Sequence, residues 1–278
     1  YLGFSRSKEI YNKACSILKQ HNYQANGATG SRLLTANHPL YLDTEKQIAT
    51  FHKTPSALIF NSGYDANIGF FSSVPQRGDV ILYDALCHAS IRDGIAMSHA
   101  KAYKFTHNNL QGLEALLEAQ NTSSKTGPEI YVVTEAVFSM DGDRPALKEV
   151  ASLCKKYSAY LIVDQAHATG VIGPKGKGLV QELALEDLVF ARIVTFGKAL
   201  GCHGAAILGS CELKSYLINF ARSFIYTTAL PPHTLATIGA AYRELEHNSD
   251  AIKKLQDNIS TLQKSILDAQ LTPHFIPS

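Results

Sequence analysis

A lysine, two histidines, several carboxylates and a small-residue turn each stand directly after a short apolar run of this chain. The run at 57–60 is followed by Asn61-Ser62-Gly63-Tyr64-Asp65-Ala66-Asn67, and the run at 80–83 by Asp84, with Cys87 and His88 close behind. The run at 130–134 leads into Glu135, with Ser139, Asp141 and Asp143 just beyond. Those at 160–163 and 193–196 lead into Asp164-Gln165-Ala166-His167 and Gly197-Lys198. Together these residue types supply a nucleophilic amine, a carboxylate able to hold a cationic ring nitrogen, imidazoles that stack or hydrogen-bond, and free amides for an anion.

Each residue also has a plainer reading, and both stay open at this level. Asp164 serves equally as an N-cap or loop carboxylate, and His167 as a hydrogen-bonded structural histidine. Lys198 serves as a solvated loop lysine, and His88 as the cap of the helix after it. Against this, the surroundings of Lys198 in Thr195-Phe196-Gly197-Lys198-Ala199-Leu200-Gly201 are apolar, which lowers an amine's pKa toward nucleophilic use. Thr195 offers a hydroxyl to a phosphate, and Ser62-Gly63-Tyr64, opening a helix, offers amides and a dipole. Cys87, His88, Asp164 and His167 match no usual zinc spacing. No GxGxxG follows the first strand, GxxxxGK[ST] and GxSxG are absent, and the glycine-rich stretch at 173–178 lacks the hydroxyl residue of a phosphate loop.

Bringing such groups to one rim requires strands that end together. The apolar runs are short and β-rich, and amphipathic stretches separate them. Ile10, Ala14, Ile17 and Leu18 share one helical face. A second helix spans 39–51, with Leu42, Ile48 and Phe51 apolar, and others cover 113–119 and 147–157. That alternation predicts an α/β fold: a mostly parallel central sheet with helices on both faces. Ligands of such sheets bind at the carboxyl ends of the strands. After Pro231-Pro232 a long polar helix is expected at 234–269.

Composition removes other classes. With 278 residues, 45% hydrophobic and 18% charged, the chain buries a substantial core and is not disordered. Lys and Arg number 26 against 24 Asp and Glu, a net charge of +2, too balanced for a nucleic-acid binder. No apolar run reaches bilayer length. Five cysteines without a CxxC pair point to a reducing compartment, here expected to be the cytoplasm. Tyr1-Leu2-Gly3-Phe4 and the strand-like ending at 271–278 read as interior sequence, so further sequence is expected at both ends.

Four segments carry a resemblance over essentially the whole chain. They are Gly30-Ser31-Arg32-Leu33-Leu34 with Asn37-His38-Pro39-Leu40, Phe138-Ser139-Met140-Asp141-Gly142-Asp143, Asp164 through Gly170, and Thr195-Phe196-Gly197-Lys198. In this order they resemble the α-oxoamine synthase family of pyridoxal-phosphate (PLP) enzymes, within the aspartate-aminotransferase fold type I. The resemblance implies a transferase that joins an amino acid to an acyl thioester, on coenzyme A or a carrier protein, with loss of CO2. It leans toward L-alanine and a pimeloyl thioester, with glycine- and serine-using members as alternatives. It implies that Lys198 holds the cofactor covalently, Asp164 pairs with its ring nitrogen, His88 stacks on the ring, and His167 and Ser139 lie near the ring hydroxyl. Gly63, Tyr64 and Thr195 would hold the phosphate. Thr227 would reach the phosphate of the neighbouring subunit in a homodimer with sites at the interface, and Glu135 matches a polar position near the ring. Residues 1–232 would form the PLP-binding large domain, and 233–278 the linking helix and the start of a smaller α/β domain. Gln165 is a departure, since close relatives often carry a second acid there.

Overall fold

The computed structural model describes residues 1–120 and 127–271. The chain runs through α1 (Lys8–Gln20), α2 (Pro39–Phe51), β1 (Ser56–Phe60), α3 (Gly63–Phe71), β2 (Val80–Asp84), α4 (Ala89–Ala96) and β3 (Lys101–Phe105). It continues through α5 (Leu110–Gln120), β4 (Ile130–Glu135), α6 (Leu147–Lys156), β5 (Tyr160–Asp164), α7 (Leu179–Glu182) and β6 (Ala191–Thr195). The last elements are β7 (Ala205–Gly209), α8 (Cys211–Phe220), α9 (Arg222–Ile225), α10 (Pro232–His247) and α11 (Ser249–Asp268).

The described strands form one seven-stranded sheet in the order β1-β7-β6-β5-β4-β2-β3. Every pairing from β6 to β3 is parallel, and β7 alone runs against its two neighbours. The expected mostly parallel α/β sheet is therefore present. β7 is reversed because only a short loop joins it to β6, and a hairpin-length connection forces antiparallel pairing.

Side chains alternate faces along a strand, and the sheet is covered on both. Leu58, Phe60, Tyr131, Val133, Ile162, Ile193 and Ile207 pack beneath α3, α4 and α8. On the opposite face Ala57, Ile59, Val194 and Leu208 meet α1, α2 and α10, while Val132, Leu161 and Val163 meet α5 and α6. Two-sided burial explains why these strands read as continuous apolar runs.

Local chemistry sets the helix ends. Ser7 accepts from the Ile10 amide, Ser62 from Asp65 and Ser210 from Leu213, so three hydroxyls start α1, α3 and α8. Three expectations need correction. Leu42 is 57% exposed, so the buried face of α2 is carried by Leu40, Tyr41, Ile48 and Phe51 instead. The helix expected at 234–269 is two helices, because Asn248 leaves helical geometry and its side chain caps α11 through the Ala251 amide. Strands β3 and β7 were not anticipated. The strand-like segment at 271–278 falls, after Leu271, outside the described residues.

Candidate active site

Strand parity assembles the site. Tyr131 and Val133, Ile162, and Ile193 face the layer of α3 and α4. Two residues on from Val133, Ile162 and Ile193, that parity puts Glu135, Asp164 and Thr195 on the same face, at the carboxyl ends of β4, β5 and β6. Lys198 follows in the β6–β7 hairpin loop, pinned by bonds from the Phe196 amide to the Gly204 carbonyl and from the Cys202 amide to the Phe196 carbonyl. All four line one cavity of about 260 Å³, together with Ser62, Gly63, Tyr64, Asn67, His88, Ser90, Ala166 and His203.

Lys198 is half-buried, and its Nζ lies 2.5 Å from His167 Nε2. Burial lowers the amine's pKa, with Asp164 and Glu135 pulling the other way. Burial, and then the Lys198 charge, hold His167 down at about 4, so its ring is a neutral acceptor near pH 7. The far nitrogen of that ring, Nδ1, is 2.7 Å from the Tyr1 hydroxyl. Asp164 is buried and fully engaged: Oδ1 accepts from the Ala166 amide at 2.9 Å and Oδ2 from Asn67 Nδ2 at 3.0 Å. Glu135 Oε1 accepts from the His88 amide at 2.5 Å, and burial raises its carboxyl to about 8.

His88 has a structural task and a place at the cavity. It caps α4 by accepting at Nδ1 from the Ser90 amide, and it lines the cavity. Opposite, α3 opens at Ser62, whose side chain is occupied by Asp65. The first amides of a helix have no intrahelical acceptor, so Gly63 and Tyr64 present free N–H groups at the positive end of the dipole. Thr195 Oγ1 is buried and has no partner among the described residues. A Cβ on Gly63 would come within 2.7 Å of Thr195 Cγ2, so only glycine lets the helix start approach that hydroxyl. The combination is an anion cradle beside a nucleophilic amine.

Three expected residues do not line the cavity, and of these only His167 reaches it, through Lys198. Ser139 is exposed and does not line it. Its loop is held by His107, which bridges Asp84 Oδ1 and Asp143 Oδ2 at 2.8 Å each. Thr227 lies outside the cavity too, its hydroxyl accepting from Asn61 Nδ2 at 2.9 Å. Gln165 is buried, its Oε1 accepting from the Val180 amide, and so braces α7. Sequence reasoning gave Asn67, Ser90 and His203 no part in the site. Asn67, on the helix opened by the Ser62 turn, was findable only once α3 was known to overlie the ends of β4 to β6.

The family model described as "Aminotransferase class I and II" matches residues 7–276. The 8-amino-7-oxononanoate synthase of Emericella nidulans is 45% identical, over 88% of this chain and 62% of that protein. This chain thus spans less than two thirds of that relative's length. Among solved structures, a serine palmitoyltransferase from S. paucimobilis with a bound PLP–myriocin aldimine superposes with a TM-score of 0.89 at 29% identity, over 96% of this chain and 66% of that one. The 8-amino-7-oxononanoate synthase of Francisella tularensis superposes with a TM-score of 0.78 at 30% identity, over 97% and 73%.

Proposed function

The chain belongs to the aminotransferase class I and II family, among its α-oxoamine synthases, and from that premise we propose that it works as a PLP-dependent acyltransferase. The reaction is the decarboxylative condensation of L-alanine with a pimeloyl thioester, on coenzyme A or a carrier protein. Its products are 8-amino-7-oxononanoate, CO2 and the free thiol, a step of biotin biosynthesis. The observation that carries this reading is the half-buried Lys198 amine sharing one cavity with Asp164 and the Thr195–Gly63 anion cradle.

The donor set suits PLP. An orphaned, buried Thr195 hydroxyl and two free helix amides match a phosphate, a fixed carboxylate matches a ring N–H, and a depressed amine matches an aldehyde. When bound, the cofactor supplies an electron-poor ring that takes up the electron pair left as bonds to the amino acid's Cα break.

The chain's own groups then have definite tasks. Lys198 Nζ, whose pKa is lowered by burial, would hold the cofactor's aldehyde and would take and return the proton at the amino acid's Cα. His167 Nε2, a neutral acceptor beside it, orients that amine. Asp164, anchored at both oxygens, would hold the ring nitrogen in its protonated form. The His88 ring would cover one face of the cofactor, and Glu135 Oε1 fixes its backbone. In this reading Thr227 serves the phosphate of the partner subunit, in a homodimer whose sites lie at the interface, while the exposed Ser139 stands off the cavity. Residues 1–232 form the cofactor domain, and 233–278 lead into the smaller one. The five unpaired cysteines suit the reducing cytoplasm.

A serine-using acyltransferase is the alternative, favoured by the higher TM-score to the S. paucimobilis enzyme. The 45% identity to an alanine-pathway relative, against 29%, favours the first reading. The complete protein is incubated with L-alanine, glycine or L-serine and pimeloyl, acetyl or palmitoyl thioesters, and thiol release is followed. Release with alanine and pimeloyl thioester supports the assignment. Turnover with serine or glycine and none with alanine overturns it.

A further inference from the structure

Asn67, on α3, uses its side-chain amide lopsidedly. Nδ2 donates to Asp164 Oδ2 at 3.0 Å and to Ser90 Oγ at 3.0 Å, while Oδ1 is buried without a partner among the described residues. An orphaned buried carbonyl is unfavourable. Turning the amide over would pair Oδ1 with the Ser90 hydroxyl but aim it at the Asp164 carboxylate. The carboxylate needs the donor, and that need fixes the orientation.

The consequence passes to His88. Asn67 occupies one lone pair of Ser90 Oγ, whose hydroxyl lies 2.8 Å from His88 Nδ1. The Ser90 amide donates to the same nitrogen at 3.2 Å. Nδ1 therefore receives two hydrogens and carries none, and the proton of the neutral ring sits on Nε2. The backbone of His88 is held separately, by Glu135 Oε1. Glu135 thus places the ring, the Ser90 amide keeps Nδ1 bare, and Asn67 holds the Ser90 hydroxyl that donates beside that amide.

We propose that Asn67 is a positioning residue that, from one amide nitrogen, holds two groups flanking the cofactor: Asp164 directly, through Oδ2, and His88 through the Ser90 hydroxyl that makes the second hydrogen bond to Nδ1. The inference rests on the PLP reading of the site and adds to it a link between the two sides of the ring, through Ser90. Asn67 and Ser90 are 2% and 1% exposed, so water does not compete for these bonds.

The test uses 15N-histidine-labelled protein, with and without PLP, at about pH 8.5, roughly two units above an ordinary imidazole. Long-range 1H–15N spectra identify the His88 tautomer, with His88→Gln providing the assignment. Wild-type His88 is expected to show a bare Nδ1 and a protonated Nε2. Asn67→Leu and Ser90→Ala should each shift the His88 Nδ1 resonance as the hydroxyl hydrogen bond is loosened or lost, and only Asn67→Leu should also shift the pH titration of the cofactor absorbance. Loss of one hydrogen bond to a charged group should lower kcat by about tenfold or more in Asn67→Leu, with KM for the amino acid little changed. A wild-type ring protonated on Nδ1, or an Asn67→Leu protein with an unaltered His88 Nδ1 resonance and cofactor spectrum, overturns the proposal. If Asn67→Leu does not fold, an unchanged Nδ1 resonance in Ser90→Ala does the same. Wild-type protein that takes up no PLP defeats the reading of the site instead, and the cofactor-free spectra separate the two failures.

Discussion

Glu135 and Asp164 are register partners across β4 and β5, so two nearly inaccessible carboxylates stand side by side at the wall of one cavity. Both cannot be ionised cheaply in such a place, and Glu135 is the one that yields. Burial, followed by the charge of Asp164, pushes its carboxyl up to about 8, against the opposing His88 amide and Lys198.

That shift predicts a pH dependence of stability with a definite sign. Folded Glu135 keeps a proton in the range where an unfolded glutamate has lost it, so its contribution to stability declines from the ordinary carboxylate range up to about pH 8. His167 and His52 act oppositely. Burial holds them at about 4 and about 3, so they favour folding increasingly as pH rises to the ordinary imidazole value. The lowered Lys198 amine also contributes a rise with pH. Urea midpoints of cofactor-free wild type and Glu135→Gln, compared from about pH 4 to 9, isolate the glutamate. The wild type should lose ground to the variant between about pH 6.5 and 8. A constant difference over that window would refute the assignment.

A second prediction concerns the segment before α2. Glu45, 2% exposed, accepts from Arg32 at 2.6 Å, Lys214 at 2.7 Å and the Ile59 amide at 2.9 Å. The Arg32 guanidinium also lies 3.9 Å over the Tyr41 ring. Glu45→Ala would strand a buried cation and an amide of β1, a loss of about 3–5 kcal/mol in unfolding free energy. Denaturant titration measures it, and a change below about 1 kcal/mol, the range of surface pairs, would count against this role.

The phosphate cradle offers a third. Gly63→Ala places a methyl 2.7 Å from Thr195 Cγ2, which must push α3 from the end of β6. PLP affinity, followed by fluorescence titration, should fall about tenfold or more, the loss of one charge-assisted hydrogen bond. Thr195→Ser removes the obstructing methyl and keeps the hydroxyl, so the double variant should recover much of the affinity. Failure of that rescue would point to a backbone effect instead.

Much of this was legible before any coordinates. The five apolar runs became β1, β2, β4, β5 and β6, because burial on both faces writes strands as uninterrupted apolar stretches. β3 escaped notice since Lys101, Ala102, Tyr103 and Lys104 are exposed on the sheet's edge and carry no such signal. β7, Ala205–Gly209, is small and glycine-ended, and its strand character comes from pairing on both sides. At the site, residues that follow strands could be read from order alone. Asn67 could not: it meets Asp164 across 97 positions, and only the packing of α3 over the sheet reveals it. Ser139 was singled out by its motif, yet its loop turns outward and is tied down through His107, whose link to Asp84 and Asp143 no local spacing announces.

The last prediction separates the roles of the amine and the acid. Lys198→Ala removes the one amine among the residues lining the cavity, and with it the 2.5 Å contact to His167, while strands β5 and β6 and their core partners are untouched. This variant should purify folded and bind PLP without a covalent link, so that borohydride fixes no added mass onto the chain, and turnover should fall by orders of magnitude. Asp164→Asn should behave differently. The carboxamide still accepts from the Ala166 amide, so the cofactor remains attached through Lys198, but a neutral partner no longer holds a ring nitrogen protonated. Exchange of the alanine Cα proton with labelled water should therefore slow sharply while borohydride fixation persists. If Lys198→Ala kept near-normal turnover, or Asp164→Asn exchanged at the wild-type rate, the amine and the acid would not be acting on a common aromatic ring.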